Sequence, residues 1–286
     1  MAETPATGSP PRAPRVLVVQ HEEAVPLGLL GTWWADAGLR LDVRRGDLGD
    51  PVPQRLTDAL DPATRAAPAG VVVLGGTMGA ADDADHPWLP ATRALVRDAL
   101  RCGVPLLGVC LGHQLAALAL GGEVRRNPSG RTIGPVPLRL TADGAADPLL
   151  GRTGDPAVAG GPVLALHHND DVVTRLPEGA VRLATAPDGS VQAARFGPVA
   201  WGVQFHPEAT VEVFAGWLGA AAAEPERRAL VEAVGALGPD LRRWWRPLAD
   251  RFAALGADGT AYPRGGRDAT AGRSWRSGRS WRSGRS

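Results

Sequence analysis

Gly108-Val109-Cys110-Leu111-Gly112 sets a thiol between two glycines, where an apolar run, Pro105 to Val109, gives way to a helical pattern. A nucleophile at a strand-to-helix turn follows the logic of the G-x-S-x-G elbow, with cysteine in place of serine. The N-terminal end of the following helix carries partial positive charge, which favours thiolate over thiol. Its free backbone N–H groups, that of Leu111 first, can stabilise an oxyanion. Cys102, the other cysteine, stands at a helix end before Gly103 with no elbow around it and receives no role.

Such a thiolate needs an imidazole brought from elsewhere in the chain. Of the six histidines, His21 follows the first strand and is expected at the surface. His86 sits in a loop, and His113 is beside the thiol in sequence but expected to face inward. His167 and His168 end a strand. His206 is different: the apolar run Ala200 to Phe205 delivers it to the C-terminal edge of a sheet, where open α/β sheets bind ligands. Pro207 fixes the bend, and Glu208 can return to the same side to hold the ring's tautomer and stabilise its cation.

These residues need a scaffold. Arg15 to Gln20, Leu39 to Arg44, Gly70 to Leu74 and Pro105 to Val109 read as strands, with helical segments near Leu27 to Ala37 and Thr92 to Arg101. That alternation predicts a three-layer α/β/α fold around a mostly parallel open sheet. After Gly122 short strands recur at Val136–Leu140, Val163–Leu166, Val181–Thr185, Val191–Arg195 and Val199–Phe205, followed by a helix over Thr210–Ala222. Pro225 to Leu255 reads as two helices broken near Gly238-Pro239, whose apolar face is expected to pack on the domain. The resulting organisation is a disordered leader over 1–14, a catalytic domain over 15–222, a short helical extension over 223–256 and a disordered tail over 257–286. The tail repeats Ser-Trp-Arg-Ser-Gly-Arg, a composition that cannot build a core; two short copies give no sufficient argument for nucleic-acid binding.

Composition narrows the chemistry further. All 31 basic residues are arginine, so no lysine Schiff base or P-loop lysine exists, and a formal net charge of +1 argues for neither nucleic acid nor an anionic membrane. Two cysteines make no disulfide framework and no CxxC metal pair, which points to a reducing, cytoplasmic setting and no metal. The apolar stretch Gly103 to Gly122 approaches the length of a membrane span, but its proline, histidine, glutamine and glycines favour a buried strand, turn and helix.

The segments around Cys110 and His206 resemble the two signature motifs of the class I, triad-type glutamine amidotransferases, and the likeness spans roughly Arg15 to Leu218. It is nearest to the stand-alone members related to the amidotransferase domain of GMP synthase. The resemblance implies a flavodoxin-like α/β fold, a Cys110–His206–Glu208 triad, a glutamyl-thioester intermediate and release of ammonia, with no cofactor. It further implies oxyanion N–H groups from Gly76 and Leu111, and substrate contacts from the Gly75 turn and Gln114. Two departures stand out: Thr77 where the family usually has proline, and Thr132 where it commonly has glutamate before Ile-Gly. His168-Asn169-Asp170 resembles an H-x-D segment beside the active site of stand-alone members. No ATP-binding loop is visible, so ammonia goes either to a synthetase subunit in trans or to solvent. A hydrolase for other γ-glutamyl amides and a catalytically silent regulatory module are the alternatives.

Overall fold

Along the first strand, β1 (Arg15–Gln20), Val16 and Val18 enter one hydrophobic cluster while Leu17 and Val19 enter another. That period of two, apolar on both sides, is what a strand buried between two helical layers requires. The computed structural model describes residues 13–151, 163–219 and 224–257. The strands β2 (Arg40–Arg45), β3 (Gly70–Val73) and β4 (Leu106–Val109) join β1 in a parallel sheet. Three small elements follow: β5 (Glu123–Arg126), β6 (Thr132–Pro137) and β7 (Arg139–Leu140). Beyond them lie β8 (Leu164–Asn169), β9 (Asp171–Arg175), β10 (Val181–Thr185), β11 (Val191–Gly197) and β12 (Ala200–Val203).

The large sheet has eight strands in the order β2-β1-β3-β4-β12-β11-β10-β7. β12 pairs parallel with β4, and the last three strands run antiparallel. Strands 2-1-3-4 with helices on both faces match the expected three-layer fold, and the C-terminal ends of β3, β4 and β12 come together on one edge. One face is covered by α2 (Leu89–Cys102) and α3 (Leu111–Ala119). The other carries α1 (Gly28–Asp36), α5 (Val211–Leu218) and α6 (Glu224–Ala257), while the short α4 (Ala142–Ala145) lies near β10.

The predicted break at Gly238-Pro239 does not occur: α6 is one helix of 34 residues with Pro239 and Pro247 inside it. An interior proline costs a helix about 3 kcal/mol. Burial of Trp244, Trp245, Leu248 and Phe252 against the sheet offsets that, at about 1.5–3 kcal/mol per large side chain. Phe205 meets Trp245 with ring centroids 4.3 Å apart, and the Trp34 indole donates to the Ala249 carbonyl at 3.0 Å. The apolar face of this segment thus packs on the domain as expected.

Other boundaries moved. The strand expected over Val136–Leu140 is divided between β6, which pairs with β8, and β7, at the edge of the large sheet. β5 and β9, which form a separate two-stranded sheet, have no counterpart in the sequence reading. β5 is short, charged and partly exposed, and so lacks an apolar signature. The 222/223 domain boundary, the leader up to residue 12 and the tail from 258 lie outside the described residues.

Candidate active site

Cys110 closes β4 with φ 50° and ψ −104°, and Arg65 is the only other non-glycine described residue with positive φ. Such a backbone costs an L-residue on the order of 1–3 kcal/mol and is kept where the surroundings enforce it. Here they do. The Cys110 N–H donates to the Val203 carbonyl at 2.8 Å, and the Gly112 N–H donates to that of Leu74 at 3.1 Å. The two flanking glycines allow one specific approach. A Cβ on Gly108 would lie 2.5 Å from the Gly112 carbonyl oxygen, and one on Gly112 would lie 2.0 Å from that of Val73. The glycines therefore let α3 start directly against β3 and β4. Leu111 is the first residue of α3, so its N–H has no acceptor within the helix.

His206 arrives just past β12, its N–H bonded to the Leu166 carbonyl at 2.8 Å. Its Nδ1 meets Glu208 Oε1 at 2.7 Å, and its ring lies beside the Cys110 side chain, both flanking Gly75. With Nδ1 engaged by the carboxylate, Nε2 is the ring nitrogen left for other partners. Both His206 and Glu208 are buried. Burial, the largest single influence on His206, disfavours its cation. The charges of Glu208 and Cys110, with the hydrogen bond to Glu208, outweigh it and push the pKa up to about 10. The ring also packs on Trp217 at a centroid distance of 4.4 Å, and the Trp217 indole is tied to the Ala24 carbonyl at 2.7 Å.

The remaining sequence-predicted residues gather here. A Cβ on Gly75 would lie 3.0 Å from His206 Cε1 and 3.4 Å from Cys110 Cβ, so any side chain would crowd both. Gly76 and Gln114 line the same cleft as Cys110 and His206, a space of about 530 Å³. Gln114 Nε2 donates to the Asp171 carbonyl at 2.9 Å and to Gln204 Oε1 at 3.2 Å. Thr77 donates its N–H and its hydroxyl to Glu22; proline at that position could make neither bond. His168 lines the cleft half-buried, its pKa lowered by burial and by the charges of Arg131 and His206.

Gln204 is a contributor the sequence reading missed. Its Nε2 lies 3.6 Å from Cys110 Sγ, within reach of a weak hydrogen bond to sulfur. The available signal was its place two residues before His206, hence on the same side of an extended segment. His21 is a correction: far from being a surface residue, it is fully buried, with Nδ1 accepting from Trp88 Nε1 at 2.9 Å. Burial, with help from His86, lowers its pKa to about 4. His113 faces inward as expected, fully buried with no hydrogen-bond partner for either ring nitrogen, and burial lowers its pKa to about 3. Cys102 lies at the end of α2, outside the cleft. No described helix is long and apolar enough to cross a membrane.

Comparison with known proteins places the chain in a family. The family described as "Glutamine amidotransferase class-I" matches residues 50–216. A glutamine amidotransferase-like protein of Salmonella typhimurium is 30% identical over 206 residues, covering 71% of this chain and 79% of its own. The glutamine-hydrolysing GMP synthase of Leifsonia xyli is 36% identical over 161 residues, covering 55% of this chain; the match spans only 29% of that longer protein. Among solved structures, a glutamine amidotransferase of Thermotoga maritima superposes with a TM-score of 0.69 at 26% identity, covering 84% of this chain and 98% of its own. A glutamine amidotransferase of Methylobacillus flagellatus shares the fold, with a TM-score of 0.70 at 24% identity over 91% of this chain and all of its own.

Proposed function

Since the chain belongs to the class I glutamine amidotransferases, we propose that it hydrolyses the side-chain amide of glutamine through a thioester on Cys110 and releases ammonia. The grouping of Cys110 with a buried His206–Glu208 pair, Nδ1 to Oε1 at 2.7 Å, at the ends of β4 and β12 supports this reading. The Cys110 thiolate attacks the δ-carbonyl carbon, and the carbonyl electrons move onto oxygen. The oxyanion is held by the N–H groups of Leu111 and Gly76. On collapse the C–N bond breaks, and the His206 imidazolium gives its proton to the departing ammonia. The neutral imidazole then takes a proton from water, which adds to the thioester. Collapse of that adduct releases glutamate and returns the thiolate–imidazolium pair. Glu208 holds Nδ1–H throughout, and its negative charge matches the cation that is spent and re-formed once per cycle.

Thiolate chemistry of this kind suits a reducing cytoplasm. A synthetase subunit bound in trans would receive the ammonia, and purification with that subunit from native extract is the direct check. A second reading draws on the cleft, whose roughly 530 Å³ is of the size that holds a whole small ligand. Other γ-glutamyl amides fit it too, and comparing their turnover with that of glutamine separates the two. The experiment for the core proposal is a glutaminase assay of Cys110→Ala, in which turnover is lost while the fold is kept. Turnover at the wild-type rate would exclude the mechanism.

A further inference from the structure

Gly75 and Gly76 make the turn beside Cys110, and two glycines in a row do not fix their own peptide planes. Contacts from outside the turn must do so. At its entrance the Leu74 N–H donates to the Val19 carbonyl at 3.0 Å, and beyond its exit the Gly79 N–H donates to Asp82 Oδ2 at 2.7 Å. Between these ends Gly76, Thr77 and Met78 line the cleft. There the Glu22 carboxylate takes both donors of Thr77, the N–H on Oε1 and the hydroxyl on Oε2 at 3.1 Å.

Glu22 is itself held. It lies two residues beyond the end of β1, and the Gln20 side chain donates to its carbonyl at 2.9 Å. His21, between them, is fully buried against the turn: a Cβ on Gly76 would lie 3.2 Å from His21 Cβ and 2.9 Å from Leu111 Cδ2. The extension of β1 thus meets the turn twice, through His21 at Gly76 and through Glu22 at Thr77. The Thr77 N–H belongs to the peptide unit that follows Gly76, and the Leu74 N–H to the unit before Leu74. With both of these tied, only the two units that carry the N–H groups of Gly75 and Gly76 lie between. A proline at position 77 would stiffen the turn through its ring; threonine leaves that to a partner, and Glu22 fills the part.

We propose that Glu22 is a positioning residue for turnover: by holding Thr77, its carboxylate keeps the Gly76 N–H aimed at the place where the oxyanion forms. This rests on the thioester hydrolysis proposed above and deepens it.

The test measures kcat and KM for glutamine, and the rate of alkylation of Cys110 by iodoacetamide, in wild type, Glu22→Ala, Glu22→Gln, Thr77→Pro and the double variant Glu22→Ala/Thr77→Pro. Alkylation creates no oxyanion and so reports on the nucleophile alone. Glu22→Ala should lower kcat by about 10-fold or more, the worth of a hydrogen bond to a charged group, and by less than the roughly 10²- to 10³-fold that loss of an oxyanion donor costs. KM and the alkylation rate should stay within about threefold of wild type, since the lost contact acts in the transition state. Glu22→Gln keeps an oxygen for the Thr77 N–H and should fall between. Thr77→Pro offers neither donor, so adding Glu22→Ala to it should change kcat by less than about twofold. Wild-type kcat in Glu22→Ala overturns the proposal, as does an equal loss of kcat and alkylation rate, or the same further loss in the Thr77→Pro background; in each case amide hydrolysis itself still stands. A wild type that releases no ammonia from glutamine overturns the hydrolysis reading and the role of Glu22 with it.

Discussion

Replacing Gly112 with alanine drives a methyl group into the end of β3. The new Cβ would lie 2.0 Å from the Val73 carbonyl oxygen and 3.1 Å from the Val73 Cβ. The carbonyl is backbone in the middle of a sheet and cannot swing aside, so the start of α3 must retreat by about 1 Å or more to restore van der Waals distance. Overpacking of this kind costs about 1–3 kcal/mol. Loss of the bond from Gly112 N–H to the Leu74 carbonyl adds about 1 kcal/mol. At about 2–4 °C per kcal/mol for a domain of this size, the melting temperature should fall by roughly 5–15 °C. Cys110 and Leu111 precede Gly112 directly, so the retreat also carries off the sulfur and the first N–H of the helix. A misplacement of about 1 Å lowers turnover on the order of 100-fold. Thermal unfolding and glutaminase turnover of Gly112→Ala measure both effects. Melting within about 2 °C of wild type together with turnover within about threefold would refute the argument that backbone contact builds the elbow.

Glu208→Gln keeps the shape of the side chain but removes a charge that raises His206; turnover should fall roughly 10²- to 10⁴-fold, and the His206 pKa followed by NMR should drop from its value of about 10. Because that pKa is raised in the fold, the stability it contributes is complete below about pH 6.5 and is lost as pH rises through about 10. Denaturant titrations should show this alkaline loss in wild type and a much smaller one in Glu208→Gln. His21 and His113 behave in the opposite sense, with folded values lowered to about 4 and about 3. Above pH 6.5 neither folded nor unfolded chain binds these protons, but below it the unfolded chain alone does, so stability falls. The slope is about 1.4 kcal/mol per pH unit for each histidine, and His21→Asn, which keeps an acceptor for Trp88, should remove about one such contribution, roughly 1 kcal/mol per pH unit, between pH 6 and 5. Gly235→Ala places a methyl group on the exposed side of α6 with nothing within 4 Å. It should stabilise the fold by about 0.5–1 kcal/mol in urea unfolding and leave turnover unchanged.

The site was legible wherever its parts are local in the chain. The thiol at a strand-to-helix junction, and a carboxylate two residues beyond a histidine, are short-range patterns whose geometry follows from backbone periods alone. The parallel strands were legible too, because burial on both faces writes an unbroken apolar run such as Val16 to Val19 or Gly70 to Leu74. What escaped depends on partners far away in sequence. Gln204 becomes a donor to sulfur only because β12 lies against β4, and Trp217 covers His206 only because α5 folds back over the sheet edge. His21 looks like a polar residue after a strand until Trp88 closes over it.

Residue types and spacing by themselves marked Cys110 as the candidate nucleophile, His206 as the candidate base and the layer pattern that carries them, since these are properties of single turns and single strands. Tertiary structure decided the rest. It kept α6 unbroken through two prolines, because burial of its tryptophans outweighs two missing hydrogen bonds. It brought Arg131 beside Asp170 through the pairing of β6 with β8. It also gave the two elbow glycines their role, which is to let α3 begin in contact with β3 and β4, and that contact does not exist until the strands are side by side.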